Sequence, residues 1–188
     1  MIGQGKSAGL LTRFRRDWRG ATAVEFALIA PVILLLYFGL AEFCQGFMAQ
    51  KRMGRTAAAV ADLVTQDEST TTARIDDVFE VGELMMRPFS TADDGQRLLK
   101  QRATAVTRRT NGQVRVDWSR GQGMDARAPD ALVDIPEGLI APGESLVMTE
   151  ITYDYESPFD EFLPGLTHFS HTYYLRPRKA DQVTCADC

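Results

Sequence analysis

Arg19-Gly20-Ala21-Thr22-Ala23-Val24-Glu25-Phe26-Ala27-Leu28-Ile29-Ala30-Pro31-Val32 opens the stretch on which the fold turns. From Phe26 to Ala41 the chain carries no charge, and beyond Glu42 the apolar character resumes through Ala49. A bilayer-spanning helix needs about 20 apolar residues, so residues 26–48 read as a membrane span. A soluble core helix fits less well, because Lys6, Arg13, Arg15, Arg16 and Arg19 stand just ahead of the run. Lys and Arg are retained on the cytoplasmic side of a span, which predicts an N-terminus inside and residues from about 50 outside. Lys51, Arg52 and Arg55 behind the run make that bias modest. A secretory signal peptide would be cut close behind its apolar stretch, and Ala57-Ala58-Ala59 lies too far downstream.

Gly20 and Glu25 refine this reading. A peptidase working at the membrane–cytoplasm boundary needs a small, flexible residue at its cut, and glycine is both. A carboxylate near the hydrocarbon edge is costly unless paired, which is one reading of Glu25. A solvated acid stabilised by the helix dipole is the other reading. Pro31 removes a backbone donor, which predicts a kink or local melt, tolerated where neighbouring helices satisfy the freed carbonyl. Glu42 reads as an acid at the outer interface before a buried contact between subunits.

The string Trp18 to Val32 resembles the TadE-like proteins of the tight-adherence (Tad/Flp) pilus system, whose segment opens R-G-x-x-x-V-E-F-A-L-x-x-P. The resemblance is specific over residues 15–65 and weak beyond them. It implies a type IV prepilin processing site cut between Gly20 and Ala21, which removes the basic leader, leaves the apolar helix in place and makes Glu25 the fifth residue of the product. Assembly contacts at Glu25, Phe26 and Pro31 are implied too, with the new α-amino group of Ala21 on a neighbouring subunit as partner for Glu25. It also implies a minor pilin or pseudopilin of an adhesive pilus, held in the inner membrane. The implied partners are other pilin or pseudopilin subunits, the Tad secretion machinery and a prepilin peptidase. The alternatives are an uncleaved membrane-tethered assembly factor and an extracytoplasmic binding domain on a tether.

Beyond the span, Ala57–Ala59, Val60, Leu63 and Val64 continue the 3.6-residue period, giving one helix of roughly 40 residues. Thr65–Thr72 is a polar break with several N-cap candidates, and Ile75, Val78, Phe79, Gly82 and Met85 or Met86 mark a second helix before Pro88. The period then becomes two. Strands are expected at 98–109, at Val114–Trp118 beyond an Asn111-Gly112 hairpin turn, at 145–156 and at 167–176. Residues 121–143 read as loop. The expected class is α+β: a long N-terminal transmembrane helix continuing into a small pilin-like domain with a second helix and a three- or four-stranded antiparallel sheet. The expected divisions are a basic leader (1–20), a hydrophobic helix (21–66) and an extracytoplasmic domain (67–188).

Composition narrows function without naming it. The chain has 188 residues and a formal net charge of −4. The first 20 residues carry +4, leaving −8 for the rest, an acidic body ill-suited to general nucleic-acid binding. No nucleophile elbow, phosphate loop or zinc-protease helix is present, and no cofactor, metal or small-molecule substrate is expected. His168 and His171 are three apart on a strand and project to opposite faces. Asp93-Asp94 and Asp160-Glu161 read as solvated turns. Cys185 and Cys188 form a lone C-x-x-C, expected to oxidise to a short disulfide outside the cytoplasm, and Cys44 reads as a small helix hydrophobe. Tyr153, Tyr155, Phe159, Phe162, Tyr173 and Tyr174 read as sheet core before adhesive surface.

Overall fold

The computed structural model describes residues 20–156 and 168–188. Helix α1 spans Ala21–Thr65 and α2 spans Thr72–Met85. The strands are β1 (Ser69–Thr70), β2 (Ala92–Asp93), β3 (Gln96–Arg97), β4 (Leu99–Arg108), β5 (Val114–Gln122), β6 (Ser145–Asp154), β7 (His168–Leu175) and β8 (Thr184–Cys185). The class is α+β with a four-stranded antiparallel sheet, as the sequence leads one to expect. Two compact units divide the chain: one holds α1 as far as Phe43, the other runs from Cys44 to Cys188.

In the first unit, α1 passes through Pro31 without interruption. The expected local melt does not occur. Proline forfeits one hydrogen bond, and the surrounding turns keep theirs. Large apolar side chains stand exposed around the whole circumference, among them Phe26, Ile29, Leu35, Leu36 and Leu40. Glu42, expected at the outer interface before a buried contact, is buried at 8% exposure.

In the second unit the sheet order is β5-β4-β6-β7. Side chains alternate across it, and both faces are covered. On one face Ala103, Ala105, Trp118 and Val147 meet Val60 and Val64 of α1 and Ile75, Val78 and Phe79 of α2. Next to them Ala49, Met53 and Ala57 pack on Leu99, Ile151 and Tyr153. Residues Cys44–Thr65 of α1 thus belong with the sheet rather than with the span. The opposite face carries Val106, Val116, Leu146 and Met148, covered by Val133, Ile135 and Ile140 of the 123–143 loop. That third layer explains why β4 is buried at consecutive positions from Ala103 to Thr107.

The turns follow local chemistry. Gly112 takes a φ of 84° in the expected β4–β5 hairpin, and Asp94-Gly95, both at positive φ, makes a two-residue turn between β2 and β3. Gly82 of α2 has a different reason to lack a side chain: an added Cβ would lie 2.3 Å from Oε1 of the fully buried Gln101. Gln101 Nε2 donates to the Phe79 carbonyl at 2.9 Å and ties β4 to α2.

Candidate functional site

Gly20 directly precedes the first residue of α1, and Ala21, Glu25, Phe26 and Pro31 are all exposed. Among the described residues, nothing beyond Gly20's own chain neighbours and nearby helix backbone lies within 4 Å of the place a Gly20 side chain would occupy. Gly20 is exposed at the helix start, with Glu25 about one turn further on. The basic residues expected to form the leader lie outside the described residues. Among the described residues, α1 is the one helix long and apolar enough to cross a membrane, and its most apolar window is wholly unburied. A sixteen-residue charge-free surface on all sides of a helix has no soluble counterpart of comparable cost, and it marks a single-pass membrane anchor.

The C-terminal residues of the second unit include two cysteines. A disulfide joins Cys185 and Cys188, with Cα atoms 5.7 Å apart. Between them, Asp187 accepts hydrogen bonds from the Thr72 backbone N–H at 2.9 Å and the Thr72 hydroxyl at 2.6 Å. These bonds hold the Asp187 carboxyl below the usual carboxylate range. Thr71 is the N-cap of α2, its hydroxyl accepting from Arg74 N–H at 3.2 Å. Val183 is buried in the first core cluster, and its carbonyl accepts the indole N–H of Trp118 at 2.7 Å. At the other end of α2, Arg52 donates to the carbonyls of Met85 and Arg87, satisfying a helix C-terminus. Sequence reasoning missed Asp187 and Val183. Their partners lie more than 60 residues away, where no local pattern reaches.

The remaining candidates separate into structural parts. His168 Nδ1 lies 2.5 Å from Asp154 Oδ1, and exposed His171 projects to the other face of β7. Burial pushes the Asp154 carboxyl up, but hydrogen bonds from His168 and Lys100 outweigh it and leave the group below its ordinary value. Asp93 ends β2 and Asp94 opens the β2–β3 turn, whereas Asp160 and Glu161 lie outside the described residues. Tyr153 is buried, with its hydroxyl donating to the Ser90 carbonyl at 3.0 Å; burial, then Glu156 and Tyr155, push it up to about 12. Tyr155 is buried against Phe89, while Tyr173 and Tyr174 pack on opposite sides of the sheet. They are core, while Phe159 and Phe162 lie outside the described residues. A cavity of about 180 Å³ beside Phe89, Tyr153 and Tyr155 is open to solvent. Cys44 is exposed and free.

On the loop-covered sheet face, Glu150 sits between Arg102, at 2.7 Å, and Arg127, at 2.8 Å. Burial pushes its carboxyl up, yet the two guanidinium groups prevail and hold it below its ordinary value. Such an arrangement fixes loop to sheet and leaves no acid poised for proton transfer.

These features define a membrane-anchored α+β protein with an open helix start. The family model described as TadE-like protein matches residues 20–62, from Gly20 through most of α1. That is the stretch carrying the resemblance to Tad pilus-associated proteins, a family of structural parts, and it covers less than a quarter of the chain. No curated protein and no solved structure matches the chain.

Proposed function

We propose that this chain is a membrane-anchored, pilin-like subunit for assembly of an adhesive Tad/Flp pilus, cut after Gly20 by a prepilin peptidase. The observation that carries the reading is the first unit of α1: an apolar surface exposed on every side, preceded by an exposed Gly20 and bearing Glu25 at the fifth position after it. Subunits that pack such helices side by side exchange lipid for protein contacts, and Glu25 finds its partner in the α-amino group of a neighbour's Ala21. Phe26 and the Pro31 turn sit in the same packing surface. The basic residues ahead of Gly20 set the N-terminus in the cytoplasm and residues 67–188 outside the inner membrane. The machinery partners are other pilin or pseudopilin subunits and the Tad secretion apparatus. No step of this reading calls for a catalytic group, cofactor, nucleic acid or small-molecule substrate.

The self-contained core of residues 44–188 favours a second reading, in which α1 only tethers an outer binding domain or uncleaved assembly factor. Glu25→Ala separates the two. The pilin reading predicts normal membrane insertion and loss of incorporation into pili, measured by immunoblotting sheared fibres. Unimpaired incorporation of the variant would contradict the role given to Glu25, and absence of the unaltered chain from sheared fibres would favour the tether.

A further inference from the structure

Residues 183–188 are held by four independent contacts to distant sequence. β8 pairs in parallel with β1, Ser69 against Thr184 and Thr70 against Cys185. Trp118 donates to the Val183 carbonyl, Val183 fills the first core cluster, and Asp187 caps α2 through Thr72. The disulfide closes a four-residue loop around Asp187, so the bond and the cap constrain the same few atoms. The two sulfurs differ in access: Cys188 is exposed, and Cys185 is half-buried against the core cluster. Asp187 Oδ1 lies 3.5 Å from Cys185 Sγ.

We propose that Cys185–Cys188 is a thiol–disulfide exchange site for a dithiol reductant, and that its redox state latches residues 183–188 onto the start of α2. A thiolate of the dithiol attacks the accessible Cys188 Sγ. The Cys185–Cys188 bond breaks, and Cys185 Sγ leaves as a thiolate and takes up a proton. The reductant's second thiol then attacks the mixed disulfide, releasing Cys188 as a thiol. In sum, two electrons and two protons reach the chain, and the dithiol becomes a disulfide. The Asp187 carboxylate beside the departing Cys185 disfavours the thiolate, so the docked loop resists exchange. Linkage makes the coupling mutual: the cap protects the bond, and the bond protects the cap. The proposal concerns the outer unit alone and stands apart from the pilin reading.

The test is hydrogen exchange of the full chain in detergent, oxidised and after treatment with dithiothreitol. Reduction should speed exchange at Thr72 and Thr184 by about fivefold or more, the scale of losing one helix cap. Exchange in β4 and β6 should stay unchanged. With the disulfide intact, Asp187→Ala should accelerate its reduction by dithiothreitol, again by about fivefold. Equal exchange in both redox states, an unchanged reduction rate in Asp187→Ala, or lost protection across the whole sheet would each overturn the proposal. So would two free thiols in protein purified without reductant.

Discussion

Helix α1 is one continuous element with two surfaces made by different solvents. From Ala21 to Phe43 it offers Phe26, Leu35, Leu36 and Tyr37 outward at roughly two-thirds exposure, a surface that only lipid or other helices can cover. From Cys44 to Thr65 it buries Ala49, Met53, Ala57, Val60, Ala61 and Val64 and exposes Lys51, Arg52 and Arg55. The first half is apolar on every side and the second on one stripe. The same backbone therefore serves as anchor and as core, and substitutions should have opposite consequences in the two halves.

The largest effect is expected in the second half. Val60→Asp places an unpaired charge in a fully buried site and should cost about 4 kcal/mol of domain stability, read from thermal unfolding of the detergent-solubilised chain. A substitution of similar violence in the first half, Leu35→Arg, should leave that unfolding transition in place. Its cost falls on membrane insertion, about 2.5–3.5 kcal/mol, seen as protein shifting from membrane to soluble fraction. If Leu35→Arg lowered the unfolding temperature as Val60→Asp does, the division of α1 would fail.

Gly82→Ala tests the helix layer against the sheet. Its Cβ would collide with the Gln101 amide, and overpacking of this kind costs about 1–3 kcal/mol. Adding Gln101→Ala should relieve most of that cost, and additive losses from the two changes would show the contact to be unimportant.

Glu150 gives a pH signature that the anchor half lacks. Its folded pKa lies below the ordinary value of 4.5, so its contribution is present above about pH 4.5 and is lost as pH falls through the folded pKa. Glu150→Gln should lower stability at neutral pH by on the order of 1 kcal/mol and flatten the acid limb of the stability curve. An acid limb unchanged by the substitution would remove Glu150 from the account. The smallest effect is expected of Arg120→Ala. Its pair with Asp76, at 2.7 Å, is more than 40% exposed on both sides, and such pairs contribute about 0.5 kcal/mol or less.

The two halves also differ in how plainly the sequence wrote them. A charge-free run needs no partner to be read, and residues 26–41 disclose a span by composition. The α2 boundaries, the Asn111-Gly112 turn and the four main strands were legible because each rests on a local period or turn residue. Loop residues Val133, Ile135 and Ile140 gave no period, yet they cover a sheet face. Asp187 and Val183 were hidden because capping α2 and filling the core beside Trp118 are long-range acts. Even the Asp94-Gly95 turn was readable in principle, although its flanking strands are only two residues each. At the candidate processing site, Gly20 and Glu25 were legible as spacing, while their open surroundings needed the fold.

The most direct test of the central claim is the N-terminal sequence of the membrane-extracted protein from cells with and without the prepilin peptidase. The account predicts a chain beginning at Ala21 when the peptidase is present and one retaining residues ahead of Gly20 when it is absent. A chain that keeps those residues in both would contradict it.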